Sequence, residues 1–403
     1  MRTPGLAACV LATLAGPAAA APTESLPYSV QMATSIMSRS QGIMTGTGGS
    51  SEPLMAGFAQ KALTALVAQY PDSSFTASIA EYIRSSAASV AKFTLNATND
   101  ALVYPLDRLS NGNALYTFGV AEGANSTSNF SAAAVALRES IDLNRRNSEG
   151  GLWYFVYPQW SYLDGMYSLA PFMTLWATEA GAWNGTDTLG QLDQMLYQME
   201  LLWKHNRNET TGLLVHGYDD SLTAVWANPV TGASPYVWGR SLGWFTMTLV
   251  DTLELLPKGA CKHSKRLLEM YQALALPLLD AVDPQTGGWW QIVDMGGREK
   301  NYIESSGSAM FAYSLLKGAR LGYLTGDLAG RATSVGVRAQ KYLTDTFLVQ
   351  EGNGVLGYNG TVAVCSLNST ASYDYYTGQP LLYNSVHGSA AYILASLESE
   401  RLQ

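Results

Sequence analysis

The sequence predicts an all-α protein, one large domain of helical hairpins stacked or arranged radially. Three observations lead there. Apolar residues recur at helical spacing along almost the whole of residues 50–400. Strand-like runs are few and short. Two weak internal repeats recur at a spacing of one helix hairpin plus its loops, and about six such pairs fit the available length.

In chain order, Met1 and Arg2 precede an apolar stretch from Leu6 to Leu14 and small residues from Gly16 to Ala21. This pattern reads as a secretory signal peptide over 1–21, which leaves 22–403 as the folded domain and places it outside the cell. The first clear helix runs from Pro53 to Tyr70, with Leu54, Phe58, Ala62, Leu63, Leu66, Val67 and Tyr70 on its apolar side and Pro53 suited to the first turn. Further helices are expected over 75–92, 111–121, 130–146, 165–180, 187–206, 239–256, 264–281, 306–322, 328–347 and 387–400. No Pro-rich, Gly/Ser-rich or charged linker divides them.

One repeat is a turn followed by a strand-like piece, at Gly150-Gly151-Leu152, Gly212-Leu213-Leu214, Gly287-Gly288-Trp289 and Gly354-Val355-Leu356. The other is a loop entering a helix through small residues, at Asp164-Gly165, Trp238-Gly239-Arg240, Ser306-Gly307 and His387-Gly388. A single hairpin cannot bury its own apolar face, so hairpins of this kind must pack on one another. If they close into a ring, the second repeat gathers helix N-termini around one rim, where backbone N–H groups favour an anion.

Charged residues make up 14% of the chain and aromatic residues 11%, against about 25% charged in a typical soluble domain. The net charge of -8 argues against nucleic acid or an anionic membrane as partner, since affinity for either comes from Lys and Arg. Seven sequons, at Asn96, Asn125, Asn129, Asn184, Asn208, Asn359 and Asn368, agree with a secreted glycoprotein. After loss of Cys9, Cys261 and Cys365 remain, as one disulfide or as two free thiols. Four histidines and no H-E-x-x-H or paired C-x-x-C pattern give no support to a catalytic metal or other cofactor. The Gly-rich stretch Thr45 to Ser51 lacks the strand and lysine of a phosphate loop.

The residues that could carry chemistry cluster at the helix entries. Asp164 follows Trp160 and Tyr162 and begins a helix, where an aspartate ordinarily serves as a cap. His216, Trp238, Arg240 and Trp244 form a second group, whose rings and guanidinium suit a sugar carboxylate; the ordinary roles are a loop histidine for His216 and a core ring for Trp244. Asp107 precedes another helix, with Arg108 beside it as a surface pair. Glu304 and His387 stand at later entries, where capping is the expected role. Gly239-Arg240-Ser241-Leu242-Gly243 matches the nucleophile-elbow pattern G-x-S-x-G but lacks the strand-turn-helix context that pattern needs.

Taken in order, the strings around Asp164, His216, Trp238 to Trp244, Asn301 to Ser306 and Tyr373 to Tyr376 resemble glycoside hydrolase family 105, the unsaturated rhamnogalacturonyl hydrolases, and the related unsaturated glucuronyl hydrolases of family 88. The resemblance implies a six-hairpin (α/α)6 barrel, with Asp164 as catalytic aspartate and Asp107 as its supporting aspartate. It implies substrate contacts from His216, Trp238, Arg240 and Trp244, with Trp160 as a further stacking ring, and no cofactor. Where members of the family often carry a His-Lys pair, this chain has Trp153-Tyr154.

The implied reaction is hydration of the C4=C5 double bond of a terminal unsaturated uronic acid on a pectin-derived oligosaccharide, performed by a monomer. It requires Asp164 to hold a proton when substrate arrives, with its pKa raised by apolar walls and by Asp107, and predicts an acidic pH optimum. The competing functions are a two-carboxylate glycosidase on saturated chains, a silent uronide-binding protein, and a serine esterase built on Ser241.

Overall fold

A computed structural model describes residues 26–123, 128–180, 188–352 and 354–402. The expected signal peptide and the sequons at Asn125 and Asn184 lie outside the described residues. Within them, helices alternate between two concentric shells. The inner shell comprises Glu52–Gln69, the 3₁₀ turn Leu106–Asn111 running into Gly112–Glu122, then Asp164–Leu175, Gly239–Leu255, Ser305–Arg320 and Val386–Glu400. The outer shell comprises Tyr28–Ser38, Thr76–Ala91, Phe130–Asp142, Thr188–Asn206, Cys261–Asp280 and Gly326–Phe347.

The sequence dictates which shell a helix joins. Every residue from Gly239 to Leu253 is buried, as is every residue from Ser305 to Gly318, because these helices are largely apolar or small and their few charged residues, Arg240, Asp251 and Lys317, are partnered within the protein. Gly326–Phe347 instead buries a stripe of Ala332, Gly336, Ala339, Gln340 and Leu343 and gives its other faces to solvent. Each inner helix packs on the next, and the last, Val386–Glu400, packs against the first, Glu52–Gln69. The ring is thereby closed into an (α/α)6 barrel. Gly57 allows part of this closeness, since a Cβ there would collide with Ser110 on the neighbouring inner element.

The helix Tyr28–Ser38 was not expected, although Val30, Ala33 and Met37 were spaced for it; it buries Val30, Met32, Ala33 and Ile36. The helix expected over 130–146 ends at Asp142, because Arg146 turns back to bridge Leu152. The helix expected over 165–180 is α-helical to Leu175 and ends in a π turn, Trp176–Ala180. The turn repeat is real: Leu152, Leu214 and Trp290 each enter an isolated antiparallel bridge, and Val355–Tyr358 pairs with Leu348–Gly352. Gly150 and Gly287 make their turns at φ of 82° and 84°, which a side chain would resist.

The barrel axis is filled. Phe58 and Trp244, on opposite inner helices, meet edge to face with centroids 4.7 Å apart, and Tyr167 lies 4.4 Å from Trp244. Further from the helix N-termini, Asp251 is 2.8 Å from Lys61 across the axis and 2.7 Å from Lys317. Lys317 also reaches Glu254 at 2.7 Å and donates to the Tyr313 hydroxyl at 2.9 Å. Burial would raise the Asp251 carboxyl, yet the two lysines hold it down at about 2. The stability this carboxylate contributes is present above its unfolded value near 4 and is lost as pH falls through about 2. Asp251→Ala strands the Lys317 ammonium and is expected to cost about 3–5 kcal/mol in chemical denaturation. Adding Lys317→Met should recover much of that loss; additive losses in the double variant would contradict the brace.

The long connections 39–51, 92–105, 143–163, 207–238, 281–304 and 348–385 all lead into inner helices, while returns such as 70–75, 256–260 and 321–325 are short. The irregular chain therefore gathers over the N-terminal rim of the inner shell. No described helix is long and apolar enough to cross a membrane.

Candidate active site

A narrow cleft opens at that rim. It is lined by Ser50, Ser51 and Leu54 from the first inner helix and its approach, by Asp107, Asp164, Arg240, Trp244 and His387 from four others, and by Tyr154, Tyr157, Tyr162, Trp238 and Val364 to Ser366 from the loops. Five of the six inner elements thus supply it. Ser50 and Ser51 are positioned by the Gly-rich loop before them, which wraps the Glu52 carboxylate. Backbone N–H groups of Thr45, Gly46 and Gly48 donate to it at 2.5, 2.9 and 3.2 Å. The loop is an anion nest whose anion belongs to the protein.

Asp164 is the first residue of its helix, but its side chain makes no cap bond. It leaves the helix end and accepts a hydrogen bond from Ser241 Oγ at 2.5 Å on Oδ2. Ser241 thereby has a role that its G-x-S-x-G setting did not suggest. It sits inside an α-helix and points at a carboxylate, so it is a positioning donor, and the esterase reading loses its nucleophile. His216 is buried, with Nε2 3.3 Å from Asp164 Oδ2 and Nδ1 2.8 Å from the Tyr376 hydroxyl. Its place is behind Asp164, where it orients the carboxylate, and not at the substrate hydroxyls where the sequence reading put it.

Asp107 is buried too. Tyr154 donates to its Oδ2 at 2.7 Å, and its Oδ1 has no hydrogen-bond partner among the described residues. Burial pushes its pKa up to about 7; the Tyr154 hydrogen bond opposes the shift, and the nearby Asp164 charge adds to it. A carboxyl with a raised pKa is thus present at Asp107, which is enclosed more deeply than Asp164. Arg108 is not a surface pair. It is wholly buried and donates to Ser140, Asn144 and the carbonyls of Tyr104, Pro105 and Ser140. It faces away from Asp107 to pin the 104–108 turn.

Arg240 is 1% exposed. It donates to the Val362 and Ala363 carbonyls at 2.6 and 2.7 Å, lies 4.0 Å from Glu304, and covers the Trp238 ring at 4.9 Å. It lines the cleft and also braces the 362–363 strand beside it. Glu304 does cap, accepting from Gly307 N, and it also holds Val362 N. Trp238 is fixed by Nε1 donating to Gln291 at 3.2 Å. Trp244 is both core and cleft wall. Trp160 is not among the residues lining the cleft; it stacks behind Tyr157 and against Trp226, at 5.5 and 5.3 Å. The tyrosine rings that line the cleft are Tyr154, Tyr157 and Tyr162, with Tyr154 and Tyr162 stacked at 4.3 Å.

The sequence reading missed Tyr154 and His387. The first was visible only as a departure from a family pattern, and the second was assigned a capping role. His387 makes no cap bond, lines the cleft, and has no hydrogen bond on either ring nitrogen among the described residues. Burial, with Arg240 beside it, pushes its pKa down to about 3. The two remaining cysteines are free: Cys365 is buried in the cleft wall and Cys261 is exposed at the start of an outer helix. Among the described residues no group of His, Cys, Asp and Glu gathers as a metal site would.

Paired carboxyls in an aromatic-walled cleft, set at the inner-helix N-termini of an (α/α)6 barrel, define a glycosidase of the six-hairpin class. The chain belongs to Glycosyl Hydrolase Family 88, whose sequence model matches residues 28–403. It is similar to the solved structure of a family 105 glycoside hydrolase from C. acetobutylicum ATCC 824, with 30% identity, 93% of this chain and 100% of that one covered, and a TM-score of 0.78. The unsaturated glucuronyl hydrolase of Bacillus sp. GL1 shares the fold at 15% identity, with a TM-score of 0.60 over 93% of this chain and 95% of that one. Over 194 residues the chain is 39% identical to the 24.9 kDa protein in the picA locus of Rhizobium radiobacter, covering 47% of this chain and 82% of that protein.

The Asp107 proton has a measurable consequence. The folded protein keeps it to about pH 7, whereas an unfolded aspartate releases it near pH 4, so native stability falls as pH rises between those values. Asp107→Asn, which is always neutral, is expected to exceed the wild-type protein in stability at pH 8 by an amount on the order of a few kcal/mol and to match it near pH 4. Equal denaturation midpoints at pH 8 would show that the carboxyl is not held neutral.

Proposed function

We propose that this glycosidase removes a terminal 4,5-unsaturated uronic acid from oligosaccharides derived from pectin, those of rhamnogalacturonan foremost, by hydrating the C4=C5 bond. The observation that carries the reading is that Asp164, held by Ser241, and Asp107, which is neutral below about pH 7, line one cleft. Membership of family 88 and the likeness to a family 105 hydrolase support the unsaturated uronide as substrate class.

The substrate's double bond adjoins the ring oxygen and is electron-rich at C4. Asp164 delivers a proton to C4, which leaves oxocarbenium character at C5. As carboxylate it then takes a proton from water as the oxygen adds to C5. The resulting hemiketal opens at the C5 to ring-oxygen bond, C1 collapses to an aldehyde, and the aglycone leaves as an alcohol; one water is consumed. Ser241 and His216 fix the Asp164 carboxyl through both stages. A neutral Asp107 spares the site a negative charge beside the uronate and beside the carboxylate that Asp164 becomes once its proton is delivered. The tyrosine rings and Trp244 give apolar faces to the sugar.

The protein is proposed to act outside the cell as a monomeric glycoprotein, a reading supported by the leader pattern and by exposed sequon asparagines at 96, 129, 359 and 368.

Asp164→Asn is expected to bind the unsaturated disaccharide yet bleach its ultraviolet absorbance about 10²- to 10⁴-fold more slowly, as loss of a general acid predicts. Near-normal turnover would remove Asp164 from the role. Wild-type activity should decline as pH rises through about 7, where Asp107 ionises. Tyr154→Phe removes the hydrogen bond that favours the ionised form, so it should move that decline to higher pH. A decline unmoved by the substitution would separate it from Asp107.

A further inference from the structure

His387 is placed like a ligand contact and unlike a structural histidine. It occupies the first turn of Val386–Glu400 and is 5% exposed, in the same wall as Asp107, Tyr154, Asp164, Arg240 and Trp244. The contrast with His216 is instructive. His216 hydrogen-bonds the Tyr376 hydroxyl through Nδ1 and sets Nε2 3.3 Å from Asp164 Oδ2 without a hydrogen bond, whereas His387 has no hydrogen-bond partner on either nitrogen among the described residues, and its Nε2 is buried. Buried polar atoms are normally satisfied, so an imidazole kept unsatisfied at a binding cleft points to a partner that arrives with the ligand. Trp244 meets the ring edge to face at 6.1 Å and fixes its plane.

We propose that His387 is a specificity-determining residue that donates a ring N–H hydrogen bond to the carboxylate of the terminal uronide. The inference rests on the uronide reading of the cleft. Arg240 supplies positive charge nearby, but two of its hydrogen bonds are directed at the backbone of Val362 and Ala363, so the carboxylate requires a further donor. An uncharged imidazole provides one without setting a second cation beside Asp107, where it would draw off the proton that carboxyl retains. Burial and Arg240 keep the ring uncharged.

His387→Phe fills the same space without a nitrogen, and His387→Gln restores an N–H. With the unsaturated disaccharide, His387→Phe is expected to raise KM about ten- to hundredfold with kcat within about threefold, the signature of a lost hydrogen bond to a charged group held equally in ground and transition states. His387→Gln should recover most of that loss. On the methyl ester of the same disaccharide, His387→Phe and wild type should have similar KM. A His387→Phe protein that keeps its wild-type denaturation midpoint and a KM within about twofold of wild type overturns the inference. So does an equal loss on acid and ester, which would mean the imidazole packs but does not read the carboxylate. If wild type leaves the chromophore of the disaccharide intact, the functional reading itself falls, an outcome distinct from normal wild-type turnover with an indifferent His387→Phe.

Discussion

Closure of the inner ring is the constraint on which everything else depends. The helix Val386–Glu400 must pack between Ser305–Arg320 and Glu52–Gln69, and only then do residues as far apart in sequence as Ser50 and His387 face one cleft. The closure is favourable because inner helices such as Gly239–Leu255 and Ser305–Arg320 are buried along nearly their whole length and are covered only when flanked on both sides. Phe58, Tyr167 and Trp244 fill the axis, and Lys61, Asp251 and Lys317 tie the opposite walls together beneath them. The catalytic rim therefore rests on a packed plug.

The cleft manages charge by burial and pairing in combination. Asp164 meets the Ser241 hydroxyl and an imidazole edge, Asp107 is sealed in with a single tyrosine donor, and Arg240 is shared between Glu304 and two carbonyls. The two aspartates differ in environment far more than in sequence context, and burial with a single donor holds the Asp107 carboxyl above the usual carboxylate range. An anionic sugar enters a site where the nearest fixed cation is already braced and the more deeply enclosed carboxyl is uncharged.

Family 88 membership fits the order of the motifs along the chain, from Asp107 through Asp164 and His216 to Arg240 and Trp244, more closely than any one of them. Each motif alone had an ordinary structural role. Some of those roles were correct: Glu304 caps its helix, and Trp244 belongs to the core as well as to the cleft. His216 has the structural place its loop position allowed, although what it orients is Asp164. The capping role expected of His387 was wrong because capping depends on where a side chain turns, and this ring turns inward.

What the sequence by itself determined is the class of architecture and the rim where chemistry gathers. Helical periodicity, helices largely apolar or small and recurring glycine turns are local properties, and local properties are written in consecutive residues. What only the tertiary structure decided is that the pKa of the Asp107 carboxyl is raised, which rings line the cleft and which hydrogen bonds are left open. Trp160 and Tyr154 are equally aromatic and six positions apart, yet Trp160 stacks behind Tyr157 while Tyr154 bonds Asp107. Burial and hydrogen-bond satisfaction arise from neighbours brought in by the closing ring, and no stretch of consecutive residues contains them.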